Sequence, residues 1–343
     1  MKVLLAMSGG VDSSLCGYLL QEKGYEVVGA TFNTGFSDAE KFKRDVADAK
    51  SVADYLGIEH RVIDYSHLFK EEVIDPFIQS YKDGKTPNPC VICNRILKFG
   101  TLMDYALENG FDFLATGHYA KVGEFHGRTL LKKAKDDRKD QTYFMYEADN
   151  LEHVIFPLGN FTKDETRALA KKLGIKTSDK KDSQEICFIK TDYRDFLNSQ
   201  NVDLPSEGYF IDINGNILGR HKGTHNYTIG QRKGLEIALG SRYYVVAIDT
   251  KNNTVTLADE SQLYKKHVVA KVFNQKNLDI LTNKDYEVKT RYTLHGSDAK
   301  IKYEDGKLIA NFYDGVRAPA IGQAMVIYDG EYVIGGGEIV DAF

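Results

Sequence analysis

Val3-Leu4-Leu5-Ala6 is an unbroken apolar run of the length of a buried strand, and a turn rich in glycine and serine follows it. Leu15, Leu19 and Leu20 then recur at helical spacing, which predicts a helix with those residues on its inner face. Val27 to Phe32 reads as a second strand. Asp38 to Leu56 reads as a polar amphipathic helix ended by Gly57, Ile58 to Ile63 as a third strand, and Leu114-Ala115-Thr116 as the end of another. Such alternation predicts a parallel sheet with helices on both faces and a ligand at the carboxyl edge of the strands. Pro87 and Pro89 hold their stretch extended, so a helix is expected only from Cys90 or Val91, running to Leu107 and stopping near Gly110. Phe161 to Gly174 predicts a further helix, opened by Thr162 with Glu165 three residues on as a capping box.

After about Pro205 the helical period gives way to short β-rich runs at 208–212, 243–248 and 254–257, separated by turns such as Ile213-Asn214-Gly215-Asn216 and Thr250-Lys251-Asn252-Asn253. From Lys266 onward further alternating runs, with turns at Asp305-Gly306 and Asp329-Gly330, read as a small β-barrel. The expected organisation is an α/β domain over 1–205, a central β-rich domain over 206–265 and a β-barrel domain over 266–343.

The chain's 343 residues fit two or three domains, with an ordinary 42% hydrophobic and 27% charged composition. No apolar run is long enough for a membrane span, and the first residues read as a strand rather than a signal peptide. The net charge of −4 argues against broad non-specific binding of nucleic acid, though not against a local basic patch. Four cysteines do not make a secreted disulfide framework; they point to a reducing cytoplasm and to thiols with chemical or metal roles.

The candidate chemistry begins in the first turn, Ala6-Met7-Ser8-Gly9-Gly10-Val11-Asp12-Ser13-Ser14. A strand, a glycine turn and a helix start aim backbone N–H groups and the helix dipole at one point, which suits a polyphosphate. Gly9 and Gly10 admit it closely, Ser8, Ser13 and Ser14 add hydroxyls, and Asp12 is expected to cap the helix or help hold a magnesium ion. No lysine stands at Walker A spacing, and S-G-G-x-D-S resembles instead the PP-loop of the ATP pyrophosphatases, which split ATP between its α and β phosphates. Phe32 and Gly117-His118, at strand ends, should border the nucleotide. Cys93 falls in the first turns of its helix, where the dipole should lower its pKa. Cys187 sits in a short apolar run, and Cys16 belongs to the core. Arg128, Lys132, Lys133, Lys135, Arg138 and Lys139 form a basic run suited to phosphate contacts with a nucleic acid.

Together the motifs resemble the tRNA-specific 2-thiouridylases. The matching segments are A-M-S-G-G-V-D-S-S (6–14), T-P-N-P-C-V-I-C-N (86–94), A-T-G-H-Y-A (115–120), K-D-Q-T-Y-F (139–144) and F-P-L-G (156–159). They continue through D-S-Q-E-I-C-F-I (182–189), Y-T-I-G-Q-R-K-G-L (227–235) and R-Y (291–292), in order over nearly the whole chain. The resemblance implies an adenine nucleotide alpha hydrolase-like first domain and the ATP-dependent replacement, by sulfur, of the C2 oxygen of the wobble uridine (position 34) in the anticodon loop of certain tRNAs. It implies that Ala6, Met7, Ser8, Gly9, Gly10, Val11, Asp12, Ser13, Phe32 and Gly117 bind ATP with Mg2+. Cys187 would carry a persulfide sulfur, delivered by a donor such as a cysteine desulfurase or a sulfur-relay protein. Cys93 would be its partner, able to form a disulfide with it. Asn88, Pro89 and Cys90 would touch the target base, and His118, Lys139, Asp140, Gln141, Arg291, Tyr292 and Gln323 would contact tRNA.

Many relatives carry aspartate where this chain has Cys90. The third thiol leaves a second route open, in which Cys90, Cys93 and Cys187 hold a [4Fe–4S] cluster with one open iron. A zinc site lacks a visible fourth ligand. Two other readings also remain open at this level. One is an amidotransferase-type synthetase with the same nucleotide loop. The other is a redox-sensing RNA-binding protein that uses the thiols as a switch.

Overall fold

The structure is a computed structural model that describes residues 1–36, 39–175, 186–189, 191–237, 240 and 242–343. The expected helix start at Asp38 and the Asp182-Ser183-Gln184-Glu185 part of the last thiol motif lie outside the described residues. The chain divides into two compact units, residues 1–73 with 90–188 and 331–333, and residues 74–89 with 189–330 and 334–343.

The first unit is built on a five-stranded parallel sheet in the order β3-β2-β1-β4-β7, from β1 (Lys2–Ala6), β2 (Glu26–Asn33), β3 (Glu59–Asp64), β4 (Phe113–Ala115) and β7 (Val154–Ile155). Val3, Leu4 and Leu5 of β1 have no exposed surface, as expected of a strand covered on both faces. Helix α1 (Val11–Glu22) packs Leu15, Cys16 and Leu20 into this core, with Leu19 partly buried beside them. Helix α2 (Ala39–Leu56) ends at Gly57, whose φ of 67° is the left-handed backbone of a helix stop. Because β2 and β4 flank β1, the chain leaves the sheet in opposite directions on either side of it. The loops after β1 and β4 therefore diverge at the topological switch point, where such sheets bind ligands.

The cysteine-bearing helix starts at Pro89, one residue before the expected Cys90 or Val91, because proline lacks the N–H that a first helical residue does not need. It runs as Pro89–Cys93, then as a π-helical turn Asn94–Thr101, then as Leu102–Glu108. The basic run also differs from expectation. Its first part is a strand, β6 (Arg128–Lys132), paired antiparallel with β5 (Lys121–Phe125) around His126 and Gly127 at φ 49° and 72°. Two successive left-handed residues form the tight turn that matches strand twist. The helix Lys163–Lys172 carries the predicted capping box: Thr162 accepts from the Glu165 N–H and the Glu165 carboxylate accepts from the Thr162 N–H.

In the second unit, Tyr81 of the helix Asp75–Lys82 stacks on Tyr193 of the helix Tyr193–Ser199 at 4.4 Å, and Phe77 meets Phe196 edge-on at 5.9 Å. A four-stranded sheet follows in the order β10-β11-β8-β9, from β8 (Gly208–Ile211), β9 (Ile217–His221), β10 (Tyr244–Asp249) and β11 (Thr254–Ala258). Asp212 and Asp249 fold its two hairpin turns by accepting backbone N–H bonds from Asn214 and Asn216 and from Lys251 and Asn252. Strands β12 (Tyr264–Lys271), β13 (Asp285–Lys289), β14 (Ser297–Glu304), β15 (Lys307–Arg317), β16 (Ala324–Asp329) and β17 (Tyr332–Ala342) then close into an antiparallel barrel. Pairs such as Val268↔Ala342 and Lys271↔Glu338 close it between β12 and β17. Among the described residues no helix is long and apolar enough to cross a membrane.

Thr162→Ala removes an N-cap and should lower stability by about 1 kcal/mol, read as a reduced urea midpoint at unchanged slope. An unchanged midpoint would show that the cap is not what holds this helix start.

Candidate active site

The loop after β1 folds on its own serines. The Ser13 and Ser14 hydroxyls donate to the Gly10 carbonyl at 3.2 and 2.8 Å, and the Ser8 N–H donates to Ser13 Oγ at 3.2 Å. Gly9 has φ 69°, and a Cβ there would stand 2.5 Å from the Asp45 carbonyl oxygen, so only glycine fits. Gly10 is the N-cap of α1 and no side chain caps it. That corrects the expected capping role of Asp12. Its carboxylate instead receives Lys163 Nζ on both oxygens at 2.8 Å and the Tyr119 hydroxyl on Oδ1 at 3.1 Å. The first-turn amides of α1 have no acceptor within their own helix, which leaves a positive helix end for an anion. Gly117 brings the loop after β4 against this turn: a Cβ there would meet the Ser13 nitrogen at 3.1 Å. Phe32, next to last in β2, has its ring 6.1 Å from that of Tyr65.

Lys163 was not singled out by the sequence, yet it is buried and holds the loop's carboxylate. The available signal was its place. A lysine in the first position of a helix opposes the dipole, and such an arrangement calls for a nearby anion.

All four cysteines are free thiols. Cys16 is buried in the core, as expected, and burial pushes its thiol far up. Cys90 and Cys93 are half-buried and Cys187 reaches the surface. The charges of Cys187 and Cys93 act on Cys90, and that of Cys187 acts on Cys93, so the three thiols of the first unit are electrostatically coupled. Phe188 fixes the described end of the Cys187 segment by packing edge-on against Phe69 at 5.8 Å.

Desolvation decides the thiol pKa values, which corrects the expected lowering at Cys93. Burial pushes Cys93 up to about 11 and Cys90 up to about 12, and it raises Cys187 as well. Lys98 opposes the shift at all three, and Lys41 of α2 joins it at Cys187. Lys98 was also missed. Its Nζ lies 3.2 Å from His118 Nε2, while His118 Nδ1 lies 2.8 Å from Thr116 Oγ1. An ammonium only donates, so Nε2 accepts and the Nδ1–H donates to the threonine. Burial, with Lys98 behind it, holds this imidazole neutral and well below its usual pKa.

Asp140 is buried. Its Oδ1 accepts the Ala134 N–H at 2.9 Å and its Oδ2 the Thr142 hydroxyl at 2.6 Å. Gln141 and Tyr119 are tied twice: the Tyr119 N–H donates to Gln141 Oε1 and the Gln141 N–H to the Tyr119 carbonyl. Lys132, Lys135 and Arg138 of the basic run are paired with Glu331, Glu165 and Asp136, so the run is partly neutralised. In the second unit, Gln323 Nε2 donates to the Thr86 carbonyl at 3.0 Å, fixing the stretch that leads to Asn88 and Pro89. Arg291 donates to the carbonyls of Ala318 and Ile229 at 2.8 and 2.6 Å, and its neighbour Tyr292 is 49% exposed.

Comparison with known proteins covers the full chain. Residues 1–191 match the family model of a tRNA methyl transferase HUP domain, 194–259 that of a tRNA methyl transferase PRC-barrel domain, and 266–339 that of an aminomethyltransferase beta-barrel domain. A tRNA-specific 2-thiouridylase of Acetivibrio thermocellus is 45% identical over 354 residues, 98% of this chain and 99% of its own. One from Treponema denticola is 45% identical over 99% of this chain and 98% of its own, and one from Halothermothrix orenii 44% over 100% and 99%. The family models are described by methyl transfer and the relatives by thiolation. The relatives' full-length identity favours thiolation.

Raised thiol pKa values have a kinetic signature. Alkylation of Cys93 by iodoacetamide at pH 7 to 9 should be slower than that of a free cysteine and should climb as pH approaches about 11. The same shifts bear on stability. The contribution of the buried neutral thiols is present below the ordinary thiol pKa. It is lost as pH rises through the folded values, because the unfolded chain ionises first. Peptide mapping after timed labelling gives each rate, and free-cysteine labelling rates at pH 8 would contradict the shift.

Proposed function

This chain belongs to the tRNA-specific 2-thiouridylases, and from that membership and its site we propose that it transfers sulfur to the C2 position of the wobble uridine of tRNA at the expense of ATP. The observation that supports the reading is that the unit holding the nucleotide loop also holds Cys93 and Cys187, which come from distant parts of the chain and act on each other by their charge.

A urea-like C2 oxygen is a poor leaving group, and transfer of AMP onto it makes it a good one. Residues Ala6 to Ser13, Phe32 and Gly117 would receive ATP, the α1 amides taking its phosphates. Mg2+, bound with the nucleotide, would offset charge on the departing pyrophosphate. Asp12, now held by Lys163 and Tyr119, would be the carboxylate to help hold it. Sulfur reaches the exposed Cys187 as a persulfide from an outside donor such as a cysteine desulfurase or a sulfur-relay protein. The Cys93 thiolate then attacks Cys187 Sγ. The persulfide S–S bond breaks, a Cys93–Cys187 disulfide forms, and the terminal sulfur leaves as hydrosulfide with the bonding pair. Hydrosulfide adds at C2, AMP leaves, and an external dithiol reopens the disulfide.

Asn88, Pro89 and Cys90 would face the target base, flipped from its stack at a cost of a few kcal/mol. Lys139, with its loop braced by Asp140 and Gln141, and Tyr292 would meet tRNA directly. Arg291, Gln323 and His118 would lie against the tRNA too, Gln323 and Arg291 also fixing backbone around Thr86 and Ala318. We divide the chain into a catalytic domain over 1–205, a central β-rich domain over 206–265 and a barrel domain over 266–343. Among the described residues no three His, Cys, Asp or Glu side chains converge to hold a metal. The thiols as they stand do not form a cluster cradle, and no step here passes through one.

Bulk tRNA from a strain lacking this gene should lose 2-thiouridine derivatives in mass spectrometry, and unchanged levels would refute the reading. With purified protein, pyrophosphate release should require tRNA. Cys187→Ser or Cys93→Ser should cut thiolation by more than about 10³-fold, as loss of a covalent participant does. Cys90→Asp should retain it, whereas a route that needed three thiolates would fail.

A further inference from the structure

Lys98 stands five residues after Cys93 on the same helix. In an α-helix of 3.6 residues per turn such a pair lies about 140° apart. A π turn takes up one more residue, so a residue and the fifth after it come nearly onto one face. Here the chain is π-helical over Asn94–Thr101, and the Thr101 hydroxyl donates to the Ile96 carbonyl five residues back at 3.1 Å. Gly100 admits the widened turn, since a Cβ there would stand 2.9 Å from the Arg95 carbonyl oxygen. The π turn therefore brings Lys98 to the side of the helix that carries Cys93.

Among the described residues the ammonium of Lys98 has a neutral imidazole, His118, as its hydrogen-bond partner and no carboxylate. A half-buried cation held by a neutral imidazole remains able to receive an anion. The charged and titratable groups that face it are Cys90 and Cys93 on its own helix, Cys187 on the 186–189 segment and His118 after β4, with Lys41 of α2 reaching Cys187.

We propose that Lys98, carried to the thiol face by the π turn and held by His118, is the positioning residue for the sulfur anion as it passes between Cys187 and Cys93. The proposal rests on the thiolation reading and deepens it. In the transfer step negative charge moves from the Cys93 sulfur to the departing terminal sulfur, and the Lys98 ammonium, whose charge acts on the thiols, would offset it. His118 keeps the ammonium in place by accepting from it, which only the neutral ring can do.

The test compares Lys98→Met, Lys98→Gln and Lys98→Arg in full-length protein. Lys98→Met should lower the turnover of tRNA thiolation about 100-fold, as loss of an electrostatic stabiliser does, with KM for ATP unchanged. Lys98→Arg should restore most of it. Independently of tRNA and ATP, iodoacetamide labelling of Cys93 at pH 8 should slow in Lys98→Met and recover in Lys98→Arg. If Lys98→Met does not fold, Lys98→Gln, which keeps a donor for His118 without the charge, should show the same two losses. Wild-type turnover and labelling in a folded neutral variant would overturn the proposal. So would a loss confined to KM for ATP, which would assign Lys98 to the nucleotide. A wild-type protein that makes no 2-thiouridine would sink the thiolation reading while leaving the labelling comparison to decide the thiol–lysine contact.

Discussion

The approach of the Gly117 backbone to the first turn of α1 is the contact on which the rest of the site depends. It joins the two loops that diverge at the switch point of the sheet. On one side Tyr119 reaches Asp12, which Lys163 holds from the capped helix. On the other side His118 reaches Lys98 and, through it, the thiols. A side chain at position 117 would press on the Ser13 amide and push these two loops apart.

Much of this was legible in the chain, for a physical reason. The β1 run, the glycine turn and the Leu15–Leu20 face are local patterns, and backbone sterics and burial enforce them without help from distant residues. The same holds for the Thr162–Glu165 box and the Asp212 and Asp249 turns. What escaped depends on partners far along the sequence. Asp12 looked like a cap because its position suits one, but a lysine some 150 residues later claims it. Cys93 looked acidic from its place near a helix start, yet the protein around it outweighs the dipole. The π turn escaped because it changes the pitch of a helix without changing its apolar pattern. Strand β6 hid inside a run of charges because its buried Leu130 and Leu131 sit side by side instead of alternating.

The hairpin and its following loop do not present their basic residues as an open positive face. Lys132, Lys135 and Arg138 are paired with acids of the same unit. The Lys132 and Lys135 pairs lie at the surface and contribute about 0–1 kcal/mol each, so a phosphate can take over either cation cheaply. Asp136 is buried, and drawing Arg138 away from it would leave a buried carboxylate short of its cation.

The elevated thiols also bear on the idle protein. Sulfur in its protonated form is a poor target for peroxide and for stray electrophiles, which attack the anion. An enzyme at rest between encounters with its tRNA is thereby spared much adventitious oxidation. Its nucleophile becomes dangerous only in the brief interval when an incoming partner changes the surroundings. In this protein the burial that slows the resting thiol also serves as its antioxidant.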